Sequence, residues 1–261
     1  MVGPQIDGDH SLRVSFPLNP ITAPTSSVTD RSFISVIIPT LNEETVIGET
    51  LTALDEQTAP FEVLVVDGHS EDSTRECARA TGATVLRAPR GRASQLNRGA
   101  EAANGEVYLF LHADTRLPSN GLTLIRDTLA PPGASAGTFR LRFDAPTPLL
   151  RFYAWCTAWP WIRLCFGDRG LFVTRTAFEA VGGYPDWPIF EDLELADRLH
   201  SRGGFRFLDT AVITSARRFR REGILTQQLR NLFLWLHYVC GADPERVAPL
   251  YPYRRSDPSI S

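Results

Sequence analysis

Three short polar clusters each stand directly after an apolar run: Pro39-Thr-Leu-Asn-Glu43, Asp67-Gly-His-Ser-Glu-Asp72 and His112-Ala-Asp-Thr115. Their carboxylates can accept hydrogen bonds from hydroxyl and ring N–H groups. They can also hold hard divalent cations. Further along, Glu191-Asp192 opens a stretch of helical spacing and offers a proton-accepting carboxylate. Gly167-Asp168-Arg169-Gly170 has two glycines that let backbone approach a ligand closely. Ser215-Ala-Arg-Arg-Phe-Arg-Arg221 is basic and suits an anion. Each feature also has a plain reading. The clusters can be strand stops, turns and helix caps, and the acidic pair can simply favour a helix N-terminus. What separates the readings is whether the elements bring the clusters together.

The pattern predicts that they do. Ile34–Ile38, ended by Pro39, is an apolar run of strand length, as are Glu62–Val66, Thr84–Arg87 and Val107–Leu111. Between them lie stretches of helical spacing. Glu43–Gln57 carries Ile47, Leu51 and Leu54 on one face. Glu71–Ala80 is capped by Ser70 and ended at Gly82, and Arg92–Asn104 starts at Gly91. Strands alternating with helices form right-handed crossovers and a mostly parallel sheet. Such sheets bind ligands outside the carboxyl ends of their strands. All three clusters sit there.

The second half differs. Phe139, Leu141 and Phe143 alternate with Thr138, Arg140 and Arg142, which predicts a half-exposed, antiparallel strand. Leu171–Thr174 reads as a strand, Phe190–Arg202 as a helix ended by Gly203-Gly204, and Ile224–Cys240 as an apolar-rich helix. The expected division is a leader over 1–31, a domain over 32–222, and a C-terminal amphipathic helix and tail over 223–261.

Bulk properties narrow the field. The 261 residues carry a net charge of −3, so no global basic field favours nucleic acid. Cys77, Cys156, Cys165 and Cys240 are scattered, with no C-x-x-C pair, which suits free thiols in a reducing compartment. No secretory signal pattern opens the chain, and no uninterrupted apolar run of spanning length occurs. The cytoplasm follows as the expected compartment.

The motifs Pro39-x-x-Asn42-Glu43, Val65-Val-Asp67-Gly-x-Ser70-x-Asp72, His112-Ala-Asp114 and Glu191-Asp192 resemble those of the family 2 glycosyltransferases with the GT-A fold. The resemblance covers about residues 33–215. It implies an α/β, Rossmann-like domain with a mostly parallel central sheet and a smaller antiparallel acceptor-side portion. It implies transfer of a sugar from a UDP- or GDP-sugar donor to an acceptor hydroxyl, with inversion, and without a spanning channel single additions are expected rather than polymer extrusion. Pro39, Thr40, Leu41, Glu43, Asp67 and Gly68 would line the nucleotide pocket, with Asp67 toward the base and Glu43 toward the ribose. Arg92 and Gln95, at a helix start that attracts anions, would face the donor, as would His112, Ala113, Arg217 and Arg218. Asp114 would hold Mg²⁺ or Mn²⁺. His112 stands where the family usually has Asp, so a hydrogen bond to protein suits it better than ligation. Asp192 would be the catalytic base, with Glu191 as fallback. Gly167, Asp168 and Arg169 would floor the acceptor side.

A narrower resemblance rests on Arg92, Gln95 and Asn97 with Gly167-Asp-Arg-Gly and Ser215-Ala-Arg-Arg. It points to a small bacterial subgroup assigned to arsenosugar biosynthesis. Two other classes remain open: a sugar nucleotidyltransferase, and a non-catalytic nucleotide-binding protein. The first would want a Gly-rich basic loop after the first strand, and Pro39–Glu43 has none. Residues 149–166 and 224–238 are dense in aromatic and apolar side chains. Trp and Tyr suit a peripheral membrane contact, and they equally suit sugar sites and cores.

Overall fold

A computed structural model of the chain describes residues 33–250, except 146, 158, 163–166, 218 and 220–223. The expected leader and the tail after 250 lie outside the described residues, as does Arg218. Eight strands form one sheet in the order β3-β2-β1-β4-β7-β6-β8-β5. They are β1 Ile34–Thr40, β2 Phe61–Asp67, β3 Thr84–Arg87, β4 Val107–Phe110, β5 Thr115–Arg116, β6 Ala136–Phe143, β7 Leu171–Thr174 and β8 Phe205–Thr214. The first four pair parallel through β1. β7 then runs antiparallel between β4 and β6.

β1 outlasts its expected end. Pro39 lies within it, in register with Val66. The tolerance has a local cause. Pairing with β4 stops at Ile37↔Phe110, and Leu111 N–H closes that side on the Ile37 carbonyl. Pro39 therefore turns its missing N–H to a side where the ladder has ended.

Helices cover both faces. α1 (Ile47–Asp55), α2 (Thr74–Ala80), α4 (Gly121–Leu129) and α5 (Pro148–Cys156) pack with Ile34, Val36 and Ile38. α3 (Arg92–Ala102), α6 (Arg175–Ala180) and α7 (Glu191–Ser201) pack with Ile37, Leu64 and Val66. Alternate residues of buried strands thus feed two apolar layers, as period-2 geometry requires. Gly99 lets α3 lie directly on the sheet. A methyl there would stand 2.3 Å from Ile37 Cγ2.

Several boundaries moved. α1 and α2 start later than expected, and Ser73, not Ser70, precedes α2. The intervening polar side chains are used across the loops instead. β6 is antiparallel to β7, as expected, but parallel to β8 on its other side. α4, α5, α6, β5 and β8 were not read from the pattern. α8 (Ile224–Val239) is the expected C-terminal helix, and α9 (Pro244–Val247) follows it. Among the described residues, no helix is long and apolar enough to cross a membrane.

β6 and β8 point the same way as β1, β2 and β4, while β7 points the opposite way. The ends of β1, β2, β4, β6 and β8 therefore share one edge with the start of β7. That edge collects residues 40–44, 67–72, 111–114, 144, 167–170 and 215–217.

Candidate active site

The loops after β1 and β2 are laced together. Asn42 N–H donates to Ser70 Oγ at 3.0 Å, and Glu71 N–H returns a bond to Asn42 Oδ1 at 2.9 Å. Glu43 N–H donates to Thr74 Oγ1 at 2.8 Å, and Glu44 N–H to Asp72 Oδ2 at 3.1 Å. Asn42, Ser70 and Asp72 thus hold the loops in shape. Gln95 reinforces the same edge from α3. Its amide donates to the Thr40 and Val66 carbonyls at 2.8 and 2.7 Å. A side chain on Gly68 would meet that amide at 3.1 Å. Gln95 was expected to face a donor, and in the structure its amide is engaged by these two carbonyls. It is a buried brace between two strand ends, using acceptor capacity that the carbonyls there keep beyond the sheet ladder.

Asp67 is fully buried at the end of β2. Ser70 N–H donates to its carboxylate, and Arg75 Nη1 stands 3.7 Å from Oδ2. Thr40 is buried beside it in the sheet, and its Oγ1 has no hydrogen-bond partner among the described residues. Pro39 and Leu41 are half-buried at the rim. A buried hydroxyl without a partner is uncommon and favours an outside partner.

Arg217 crosses from the segment after β8 to the first loop. It pairs with Glu43, reaches Thr45 Oγ1 at 3.4 Å, and lies 3.8 Å from Asp114 Oδ2. Asp114 follows β4, and its carbonyl accepts from Ser215 N–H at 3.1 Å. Ala113 is buried, and its carbonyl accepts from Thr50 Oγ1 at 2.7 Å. Asp144, after β6, accepts from Ala216 N–H at 2.8 Å and so positions the Arg217 segment. Asp144 was missed in the sequence, because its place at the edge depends on the direction of β6.

α7 brings in the acidic pair. Phe190, ahead of the helix, takes a left-handed backbone with φ 64°, and its ring packs against Tyr238 at a tilt of 39° with centroids 4.9 Å apart. The other non-glycine residues with positive φ among those described, Asn42 and His69, also lie in the edge loops. Backbone strain of this kind concentrates at functional sites. Glu191 and Asp192 are 3 and 6 % exposed. Arg92, at the start of α3, lies 3.3 Å from Glu191 Oε1 and 3.8 Å from Asp192 Oδ2. It was expected to face the donor, and in the structure it pairs with the acids at the same edge.

Asp192 is also held by two N–H groups. Gly167 N–H donates to Oδ2, and Leu193 N–H to Oδ1 at 2.8 Å. Gly167 has no room for a side chain. A Cβ would stand 3.0 Å from Asp192 Oδ2 and 3.1 Å from His112 Nε2. His112 therefore lies beside the base candidate.

Asp168 follows at once, and its Oδ1 is buried with no hydrogen-bond partner among the described residues. Burial, with the neighbouring Asp192 charge, pushes its pKa up to about 7 against the opposing pull of Arg169. Burial likewise raises Glu191 to about 7, opposed by Arg92 and aided by Asp192. Carboxyls raised in this way are a mark of functional clefts. Arg169 departs from expectation. It is buried, its Nε donates to the Phe139 carbonyl at 2.9 Å, and its guanidinium lies over the Phe207 ring. It braces β6 and β8.

No three His, Cys, Asp or Glu side chains gather as a metal cage among the described residues. Asp114, with a partly exposed carboxylate on the edge, fits a different kind of site. Mg²⁺ and Mn²⁺ accept one or two carboxylates and complete their shell with phosphate oxygens and water. The donor set suits an ion that arrives with a diphosphate.

The family model for glycosyl transferase family 2 matches residues 35–179. The chain is 29 % identical over 209 residues to the probable glycosyltransferase YdaM of Bacillus subtilis, covering 69 % of this chain and 49 % of that protein. It thus spans about half the length of that relative. The solved mannosyltransferase PcManGT of Pyrobaculum calidifontis, in complex with GDP-Man and Mn²⁺, superposes with a TM-score of 0.55 at 26 % identity, over 85 % of this chain and 69 % of that one. Glucosyl-3-phosphoglycerate synthase of Mycobacterium tuberculosis shares the fold, with a TM-score of 0.58 at 19 % identity over 83 % of each chain. The narrower resemblance to the arsenosugar-associated subgroup gains no support from these comparisons.

Proposed function

The chain belongs to glycosyl transferase family 2 and has the GT-A fold, and from that premise we propose that it transfers a sugar from a nucleoside-diphosphate sugar to an acceptor hydroxyl, with inversion and one unit at a time. The observation that carries this reading is the convergence of Asp67, Asp114 and Asp192 on one strand-end edge, with Asp192 held by Gly167 N–H and beside Arg92. The complex of PcManGT with GDP-Man and Mn²⁺ supports a nucleotide-sugar donor and a divalent ion.

In this reading, Asp67 accepts the base N–H and Glu43 the ribose hydroxyls. Thr40 Oγ1 supplies a further hydroxyl in the same pocket. Arg217 moves between Glu43 and the diphosphate, which it would bind with two parallel N–H groups. Asp114 would hold the Mg²⁺ or Mn²⁺, which neutralises the charge of the leaving diphosphate. Asp192 accepts the acceptor hydroxyl's proton as that oxygen attacks the anomeric carbon. The bond from the anomeric carbon to the diphosphate breaks on the opposite side, so configuration inverts. The two N–H groups on Asp192 fix its carboxylate for this task, and Arg92 with Glu191 sets the charge around it. Asp168, next to the Gly167 that holds Asp192, belongs to the acceptor side.

Nucleotide-dependent thermal stabilisation tests the reading. UDP or GDP is expected to raise the Tm, further with Mn²⁺, and Asp114→Asn is expected to remove the Mn²⁺ increment alone. If neither nucleotide moves the Tm, the proposal fails.

A further inference from the structure

α8 presents its apolar side outward. Leu229, Leu232, Phe233 and Leu236 are 46 to 58 % exposed. At helical spacing they form one stripe about 100° wide. Leu234 is buried, and Asn231, Trp235 and Tyr238 are partly covered on the opposite side. α5 behaves alike. Leu150 is buried and Tyr153 packs on Phe143, while Phe152 and Trp155 stack in the open with centroids 5.9 Å apart. Trp159 and Trp161 continue the row beyond the helix. These four rings are 50 to 61 % exposed. A helix that only completed a water-facing domain would turn the other way.

Charge indicates the occupant. Residues 145–162 and 224–242 contain Arg151 and Arg230 and no Asp or Glu, although the chain as a whole is net negative. A second copy of the chain would bring like charges to such a face. A bilayer of anionic lipid supplies the complement, with an interface where tryptophan rings settle. The two helices also flank the catalytic edge. Tyr238 of α8 packs against Phe190, next to Glu191-Asp192, and burial with the Asp168 charge raises the Tyr153 hydroxyl pKa on α5.

We infer that the outer faces of α5 and α8, with Trp159 and Trp161, form a docking surface for an anionic lipid bilayer. The surface holds the catalytic edge at the membrane plane, so the acceptor is met there. The acceptor clause alone rests on the transferase reading.

Flotation of the full chain with vesicles tests the docking without donor, ion or turnover, so its failure is distinct from failure of the transferase reading. Binding to phosphatidylcholine vesicles with about a third phosphatidylglycerol is expected to be about tenfold or more tighter than to phosphatidylcholine alone. Trp155→Ser and Phe233→Ser, both at exposed positions, are each expected to weaken it about tenfold with unchanged Tm. The inference is overturned by absence of wild-type binding to either vesicle, by binding that both variants retain, or by a dimer in sedimentation that both variants dissolve while vesicles capture nothing.

Discussion

In the proposed transfer, Asp192 is the residue on which the chemistry turns. Gly167 and Leu193 N–H groups orient both its oxygens, and an amide keeps one of those acceptors on its single carbonyl oxygen and cannot take up a proton. Asp192→Asn is therefore expected to lower transfer, or donor hydrolysis, about 10²- to 10⁴-fold. Its nucleotide-dependent Tm shift should stay at the wild-type value. Full turnover in the variant would remove Asp192 from the role of base. Asp168 gives a second test at this scale. Its pKa is about 7 in the folded chain, against about 4 when unfolded. Between those values the folded state binds more protons, so its contribution to stability falls as pH rises from about 4 to 7. Asp168→Asn cannot ionise, and its Tm advantage over wild type is expected to widen across that window. A Tm difference that is constant from pH 4 to pH 8 would show that Asp168 does not titrate there.

At the scale of elements, the site depends on how strand ends are tied. Carbonyls at the strand ends keep acceptor capacity beyond the ladder, and Gln95 donates to two of them from α3, joining the Gly68 N–H at the Thr40 carbonyl. Gln95→Leu keeps the volume and removes both bonds. A loss of about 1 to 3 kcal/mol in urea unfolding is expected. Nucleotide binding should weaken too, because the loops after β1 and β2 lose a shared brace. A variant as stable as wild type would mean that the carbonyls find other donors. The glycine pair after α7 shows the same economy. Gly203 and Gly204 both have φ near +80°, which terminates the helix and sends β8 back beside β6.

At the scale of the whole molecule, the edge draws on residues from position 39 to position 217, contributed by six strands and two helices. A ligand seated there ties the chain's first strand to its last long one. Mass action then stabilises the whole domain, by about 2.7 kcal/mol at a hundredfold excess over Kd. The expected Tm rise with UDP or GDP should accordingly appear as one cooperative transition. A shift confined to a minor early transition would place nucleotide binding on a detached part of the fold.

The sequence by itself determined the four parallel strands, the helices between them, and the clusters that follow β1, β2 and β4. Apolar periodicity and strand length are local properties, and a parallel sheet has a known binding edge. It also identified the carboxylates Asp67, Asp114 and Asp192 through short motifs. Only the tertiary structure decided which polar side chains face the edge and which hold it. Gln95 and Arg169 carry the same chemistry as ligand-binding residues, yet each is buried against backbone carbonyls. That distinction depends on helix rotation and on the direction of β6, β7 and β8, and neither leaves a local trace. Arg92 pairs with Glu191 across 99 positions of sequence, and Asp144 reaches the edge because β6 runs parallel to β8. Both facts are long-range pairings, set when the two halves of the sheet join through β4 and β7.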